Sequence, residues 1–502
     1  MWEILKQASN RSIFVFALLL SGLMSLYLIM GDDTINTDGI VHLGAARMIA
    51  EGDWAGAVLA MGWPPVYQAS IAYIHLWTGL SLENAAHAFS LVTYLVLVVA
   101  FLACLSELTE NKRILWLGVL VIFINADING TRADVYKDSA YWAGYLSALW
   151  FMLRYVKTQQ WTAVLGWYCA IVFASFYRFE GMAFVLMLPL VLFWLPGVEF
   201  GERVKLVLKI YTPILLVVVS VLLLLSIGRI SIEQIGRFSY PIEIINALFD
   251  KNSLFGQTVV KVRGMVGVAH YSAYVLVIIM ITFMVLLKLF KSLGLAFTLL
   301  SLLWVRHRRG IPSAQQLVIF AAISVNMVVL MMYSVGYFFL QARYTSALAL
   351  TIMLVIPFAL DDLLQRWQTQ RTRWVKATVF FVGIWFVYMS VDSLTTMGAT
   401  KHYIREAGQW IGTIKTGDQS MYVDDEVILY YSGAKMHAHA TLWWPDTKQG
   451  LEDGVVQKND IIALRVRKKR AERLPVIKQY LGEPDRVFEN ENADQVLVYI
   501  KK

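Results

Sequence analysis

The sequence predicts a mostly α-helical membrane protein: a polytopic transmembrane bundle of about eleven spans, helices lying flat on its outer surface, and a small C-terminal α/β domain. Three observations carry this reading. Apolar residues make up 58% of the 502 positions and charged residues 16%, where soluble domains carry roughly 45–50% and about 25%. Basic clusters alternate from one side of the apolar blocks to the other. After Val391 the composition turns polar and mixed, which divides the chain into 1–391 and 392–502.

The apolar blocks run Ser12–Met30, Ala85–Leu105, Ile114–Ala126, Tyr141–Leu153, Thr162–Tyr177, Gly181–Leu195, Val207–Ile227, Tyr271–Val305, Leu317–Tyr333, Ala347–Leu360 and Ala377–Val391. A perpendicular span needs about 20 residues. The short blocks, Ile114–Ala126 above all, therefore rely on flanking aromatics and long basic side chains at the interface. No small-residue cleavage site follows Leu28-Ile29-Met30, so the first block reads as an uncleaved span. Lys6/Arg11, Lys112/Arg113, Arg154/Lys157, Arg203/Lys205/Lys209, Arg306/Arg308/Arg309 and Arg366/Arg371/Arg373/Lys376 share one face if the N-terminus is cytoplasmic, which puts the tail outside. Tyr271–Val305 is too long for one span, and Lys288 and Lys291 interrupt it; one half crosses and the other lies in the interface. The net charge of +8 reads as positive-inside bias and anionic headgroups, not as nucleic-acid binding. Cys104 and Cys169 sit in apolar blocks and suggest neither a disulfide framework nor a metal site. In the tail the pattern predicts helices near His402–Ile414, Asp425–Tyr431 and Lys468–Tyr480, and strands at Ser420–Val423, Ile461–Val466, Arg486–Phe488 and Gln495–Ile500.

The outer loops carry the chemistry. In the first, Gly31 to Glu83, Asp38 opens a helix with Ile40, Val41, Ala45, Met48 and Ile49 as its apolar face. Two helices lie flat on the membrane, joined near Gly62-Trp63-Pro64-Pro65, and His42 is one turn on from Asp38 on the same helix face. Asp38 is a candidate general base toward an acceptor hydroxyl, or else an N-cap. Asp32 and Asp33 read as a solvated span end. The second loop sets Asp127, Asp134 and Asp138 around Arg132 and Lys137. Carboxylates from the two loops, Asp38, Asp134 and Asp138, could share a divalent metal, but the spacing matches no metal motif and a metal is not favoured. Asn129-Gly130-Thr131 fits a glycosylation acceptor. The fourth loop, from Gly228, carries Arg229, Arg237, Lys251, Lys261 and Arg263 against the positive-inside bias, which suggests an anionic ligand or the tolerance of a long loop. Arg178-Phe179-Glu180 and Gln341-Ala342-Arg343-Tyr344 place further ionisable groups at span ends. The bland alternatives are an Arg178–Glu180 ion pair and a snorkelling Arg343.

The stretches Asp38-Gly39 through Arg47-Met48-Ile49-Ala50-Glu51-Gly52-Asp53-Trp54, Gly62-Trp63-Pro64-Pro65-Val66-Tyr67, Ser175-Phe176-Tyr177-Arg178-Phe179-Glu180-Gly181, Gln341-Ala342-Arg343-Tyr344 and Ala407-Gly408-Gln409-Trp410-Ile411, ahead of Val423-Asp424-Asp425, follow one another in an informative order. In this order the chain resembles the GT-C superfamily of membrane glycosyltransferases, in the branch with protein O-mannosyltransferases and lipid A aminoarabinose transferases. The resemblance implies a polyprenyl-phosphate-linked sugar as donor, with hexosyl or pentosyl transfer at the outer face of a bacterial cytoplasmic membrane. The catalytic acid would fall on Asp38. Relatives often have two adjacent acids there, whereas this chain has Asp38-Gly39 with Asp32-Asp33 upstream, so Asp32, Asp33 and Asp38 all stay open as the base. The second acidic motif would fall near Asp134 or Asp138. Arg178 and Arg343 match positions that face the lipid phosphate, with Tyr344, Lys261 and Arg263 as further contacts. His42, Tyr67, Asp134 and Lys137 lie near donor or acceptor in this reading, and no cofactor is required. The alternative is a transporter or flippase of a lipid-linked sugar, against which stand the long structured first loop and the external tail domain.

Overall fold

The structure is a computed structural model that describes residues 9–61, 64–226, 240–267, 269–307, 310–370, 372–396, 400–417, 419–434 and 444–501. Gly62, Trp63, Lys6, Arg229, Arg237, Arg308, Arg309 and Arg371 lie outside those residues.

Each apolar block is built around a helix over its described residues. Among the described residues five helices are long and apolar enough to cross a membrane: Asn10–Met30, Leu82–Leu108, Tyr271–Arg306, Ser313–Tyr337 and Arg373–Asp392. Ala342–Met353 and Ile356–Thr369 form a sixth as a pair bent by 48°. The chain is an integral membrane protein. Leu19 and Leu23 of the first span are 64% and 66% exposed, side chains that only hydrocarbon would solvate well. Several of the eleven blocks are shorter. Lys112–Ile124 has 13 residues, of which Ile114, Leu115, Leu117, Val119, Val121 and Ile122 are buried, so neighbouring helices surround it where lipid would otherwise be needed.

By contacts the chain forms two compact units, a division that composition does not reveal. One comprises Met1–Met24, Leu91–Thr131 and Lys137–Leu394 and holds most of the helices. Its long helix His270–His307 breaks at Gly294, whose φ of 70° and ψ of 171° suit glycine alone. The break lies just beyond the two lysines that interrupt the apolar block.

The other unit comprises Ser25–Ser90, Arg132–Tyr136 and Thr395–Lys502, so the first outer loop folds with the tail domain. The loop forms three helices where two were expected: Thr37–Ala50, Trp54–Met61 and Val66–Thr78. Val41, assigned to the apolar face, is 42% exposed, whereas His42 is buried. The short stretch 132–136 is threaded into this unit. Arg132, 1% exposed, donates from Nη1 to Ser25 Oγ at 2.7 Å, and Val135 N donates to Asn36 Oδ1 at 2.7 Å. The tail carries a four-stranded sheet in the order β1-β2-β4-β3, with β1 Met421–Val423, β2 Ile461–Val466, β3 Arg486–Glu489 and β4 Gln495–Ile500. β1 and β2 run parallel, and β4 is antiparallel to both β2 and β3. Helix Glu426–Tyr431 is capped by Asp425, whose Oδ1 accepts from Val427 N at 2.9 Å. Helix Trp444–Glu452, not expected from the sequence, packs over the sheet through Leu451.

Candidate functional site

In the helical unit, Arg178 sits in extended backbone (φ −143°, ψ 127°) where helix Trp161–Tyr177 ends, three residues before helix Gly181–Met187 begins. Gly181 makes this turn possible, because a Cβ there would lie 2.5 Å from Ser175 Oγ and 3.0 Å from Ser175 N. The guanidinium pairs with Asp138 through Nη1 and with Glu180 through Nη2, and Nε donates to Glu180 Oε1 at 3.1 Å. It also lies over the Tyr344 ring, 4.3 Å from the centroid, and within 5.7 Å of the Tyr141 centroid. Arg343 lies 5.5 Å from the same Tyr344 ring. Tyr344 is therefore shared by the two arginines that the sequence singled out.

Lys137 completes the group. Burial pushes its ammonium pKa down, Arg178 and Arg343 add to that, and Asp138 and Glu180 oppose it; the net direction is down. Burial alone would raise the Glu180 carboxyl, but Arg178 more than offsets it and the result is lowered. Three cations thus face two carboxylates, and Arg178 satisfies both carboxylates itself. The excess of one positive charge in this group favours an added anion beside it. The turn bearing Arg343 is tied to the break in His270–His307. Ser292 Oγ and Ser346 Oγ both donate to Asp127 Oδ2, at 2.7 and 3.4 Å, and Asn125 Nδ2 donates to Ser292 O at 3.0 Å.

The expected role of Asp138 as a catalytic acid fits poorly with its place here, because Arg178 holds its carboxylate. The ion-pair reading of Arg178 is realised, and the same guanidinium lies over the Tyr344 ring. Lys261 and Arg263 are not brought in. Both are exposed on helix Leu254–Val266, and neither makes an ion pair or side-chain hydrogen bond among the described residues. Asn129 is fully buried and its Nδ2 donates to the carbonyls of Ile122, Phe123 and Asn125, which withholds it from glycosylation in the folded protein.

In the other unit, Asp38 is not an N-cap. The cap position of helix Thr37–Ala50 is Asn36, and Asp38 lies in the first turn, where a carboxylate is stabilised by the helix dipole. Helix Glu426–Tyr431 packs on this helix. Burial first, then Asp425 and Asp38, push the Glu426 carboxyl pKa up, so the carboxylates of Asp38 and Glu426 feel each other. Sequence reasoning missed Glu426, although it directly follows the Val423-Asp424-Asp425 stretch. His42 is buried, with Nδ1 2.8 Å from Gln68 Nε2 and its ring 5.1 Å edge-on to Tyr67. Tyr431 OH donates to Glu83 Oε1 at 3.3 Å and accepts from Ile35 N at 3.2 Å, joining the tail domain to the loop just before Asp38.

Asp33 is absorbed structurally: its Oδ2 accepts from Lys401 N at 3.2 Å, at the start of helix His402–Ile414. Asp32 is not a solvated span end. Burial pushes its pKa to about 6, with Asp33 and Glu83 adding to the rise and Thr34 N and Lys401 opposing it. Asp134 is buried and faces Lys401, whose own pKa is lowered by burial and Arg465. Among the described residues no three His, Cys, Asp or Glu side chains are gathered as metal ligands.

No family model matches the sequence, and no curated protein sequence matches it. Solved structures do. ArnT from Cupriavidus metallidurans, crystallised bound to undecaprenyl phosphate, is 13% identical, aligns over 97% of both chains and has a TM-score of 0.52. The oligosaccharyltransferase of Archaeoglobus fulgidus, tethered to an acceptor peptide with an NVT sequon, is 10% identical, with 94% of this chain and 71% of that chain covered and a TM-score of 0.53. The chain has the GT-C fold. Identity this low carries the fold and nothing finer.

Proposed function

We propose that the protein is a glycosyltransferase that moves a sugar from a polyprenyl-phosphate-linked donor to an acceptor hydroxyl at the extracytoplasmic membrane face. The observation that carries this reading is the cation group of Arg178 and Arg343 at the Tyr344 ring, with Lys137 in their field, in a protein with the GT-C fold. Likeness to a protein crystallised with undecaprenyl phosphate supports a lipid-phosphate donor.

In the reaction, Asp38 accepts the proton of the acceptor hydroxyl. The hydroxyl oxygen bonds to the anomeric carbon, and the bond from that carbon to the phosphate oxygen breaks. The electron pair leaves with the polyprenyl phosphate, and configuration inverts. Lys137 and Arg343 hold the charge that develops on the leaving phosphate, the kind of fixed electrostatic stabilisation that commonly dominates catalysis. Arg178, fastened by Asp138 and Glu180, sets the position of Tyr344 and adds its field. Asp38 is preferred to Asp33, whose carboxylate accepts from Lys401 N at the start of a tail-domain helix, while Asp32, raised to about 6, is the second candidate base. No step is routed through a metal. The test is turnover with polyprenyl-phosphate sugars in purified protein. Asp38→Asn is expected to lose at least about 10²-fold in rate while donor still binds; wild-type turnover in that variant would remove Asp38 as the base.

A further inference from the structure

An apolar groove in the helical unit takes no part in this reaction. It lies toward the end of the bent pair Ala342–Met353 and Ile356–Thr369. That pair begins at the Arg343 turn, and about 35 Å of helix, at about 1.5 Å per residue, separates Arg343 from Arg366. This is close to the thickness of a bilayer core, about 30 Å. The groove, of about 130 Å³, is walled by Leu303, Trp304, Phe358, Leu363, Arg366 and Trp374.

Cations flank its wall residues in the sequence, beyond the paired Asp362 and Arg366 that line it. Arg306 is exposed one turn-end beyond the Leu303–Trp304 wall, and Arg373 and Lys376, both exposed, bracket Trp374 and Val375. The carboxylates nearby are already used: Asp361 Oδ1 lies 2.6 Å from Arg113 Nε, and Asp362 Oδ2 lies 2.8 Å from Arg366 Nε. Among the described residues Arg306, Arg373 and Lys376 make no ion pair. Trp374 is 85% and Trp367 44% exposed, as aromatic side chains are at a headgroup boundary. A soluble phosphate would gain nothing from the apolar wall, and a neutral lipid would gain nothing from three unneutralised cations.

We propose that this groove binds an anionic glycerophospholipid, with an acyl chain along Leu303, Trp304, Phe358 and Leu363 and the phosphodiester among Arg306, Arg373 and Lys376. The site lies at the opposite end of the bent span from Arg343 and is separate from the donor site.

Native mass spectrometry of the full chain in mild detergent tests this, with phosphatidylglycerol and phosphatidylcholine of identical acyl chains added at equal concentration. Wild type is expected to retain one phosphatidylglycerol in clear preference. The combined variant Arg306→Gln, Arg373→Gln, Lys376→Gln changes exposed side chains only and is expected to lose that preference. Ala359→Phe, which fills the groove, is expected to reduce retention of both lipids. Equal retention of the two lipids by wild type would overturn the proposal, as would an unchanged preference in the triple variant. Polyprenyl phosphate binding, expected to be unaltered in that variant, separates failure here from failure of the donor-site reading.

Discussion

Arg178 is a tightly held cation of the helical unit. Its side chain is 9% exposed and is held by Asp138 and Glu180. Breaking a buried pair leaves the partner charges uncompensated, at a cost of about 3–5 kcal/mol. Arg178→Ala should therefore lower the thermal unfolding temperature markedly, whereas Lys261→Ala, on an exposed helix face, should leave it nearly unchanged. Equal stability of both variants, measured by thermal unfolding in one detergent, would remove the structural role assigned to Arg178. In the other unit, Asp32 offers a test with a definite sign. Its pKa is raised from 3.8 to about 6, so the folded state binds more protons than the unfolded state between those values. Stability falls as pH rises through that window, and the penalty is fully present above about 6. Asp32→Asn should stabilise the protein at pH 7.5 by about 1–2 kcal/mol, allowing for partial exposure, and give no gain at pH 3.5. A gain of the same size at both pH values would point to a packing cause.

At the scale of elements, the turn Ser175–Gly181 decides where Arg178 and Glu180 point. Gly181→Ala puts a methyl 2.5 Å from Ser175 Oγ and 3.0 Å from Ser175 N, and the backbone atom cannot yield. The variant should lose about 1–3 kcal/mol of stability and bind polyprenyl phosphate more weakly; unchanged binding would show that the turn does not set the cluster. Much of this was legible beforehand. Hydrophobic blocks mark helices because each must hide its own backbone polar groups in lipid. The tail strand Ile461–Val466 matched its predicted bounds because five of its six residues are buried. The break at Gly294 was visible only as two misplaced lysines, since φ is not written in a hydrophobic pattern. Helix Trp444–Glu452 escaped notice because it is short and carries few apolar residues. At the candidate site, single residues such as Asp38, Arg178 and Arg343 stood out by type and place. Their partners did not: Asp138 finds Arg178 from 40 positions away, and Glu426 and Asp38 belong to opposite ends of the sequence.

At the scale of the whole molecule, composition divides the chain once, near residue 391, but contacts divide it differently. The first outer loop and 132–136 belong with the tail. Long-range hydrogen bonds such as Tyr431 to Glu83 carry that grouping, and no local pattern announces them. The proposed phosphate clamp of Lys137, Arg178 and Arg343 lies within the helical unit alone. The clamp is the more directly measurable part. Native mass spectrometry of the purified chain with added polyprenyl phosphate, comparing wild type with Arg343→Ala and Lys137→Ala, reads it without knowledge of the sugar. One lipid phosphate retained by wild type, and weakened about tenfold or more in each variant, is expected from loss of a charge-assisted contact. Folded wild-type protein that retains none, or variants that retain as much as wild type, would contradict a polyprenyl-phosphate donor held by these residues.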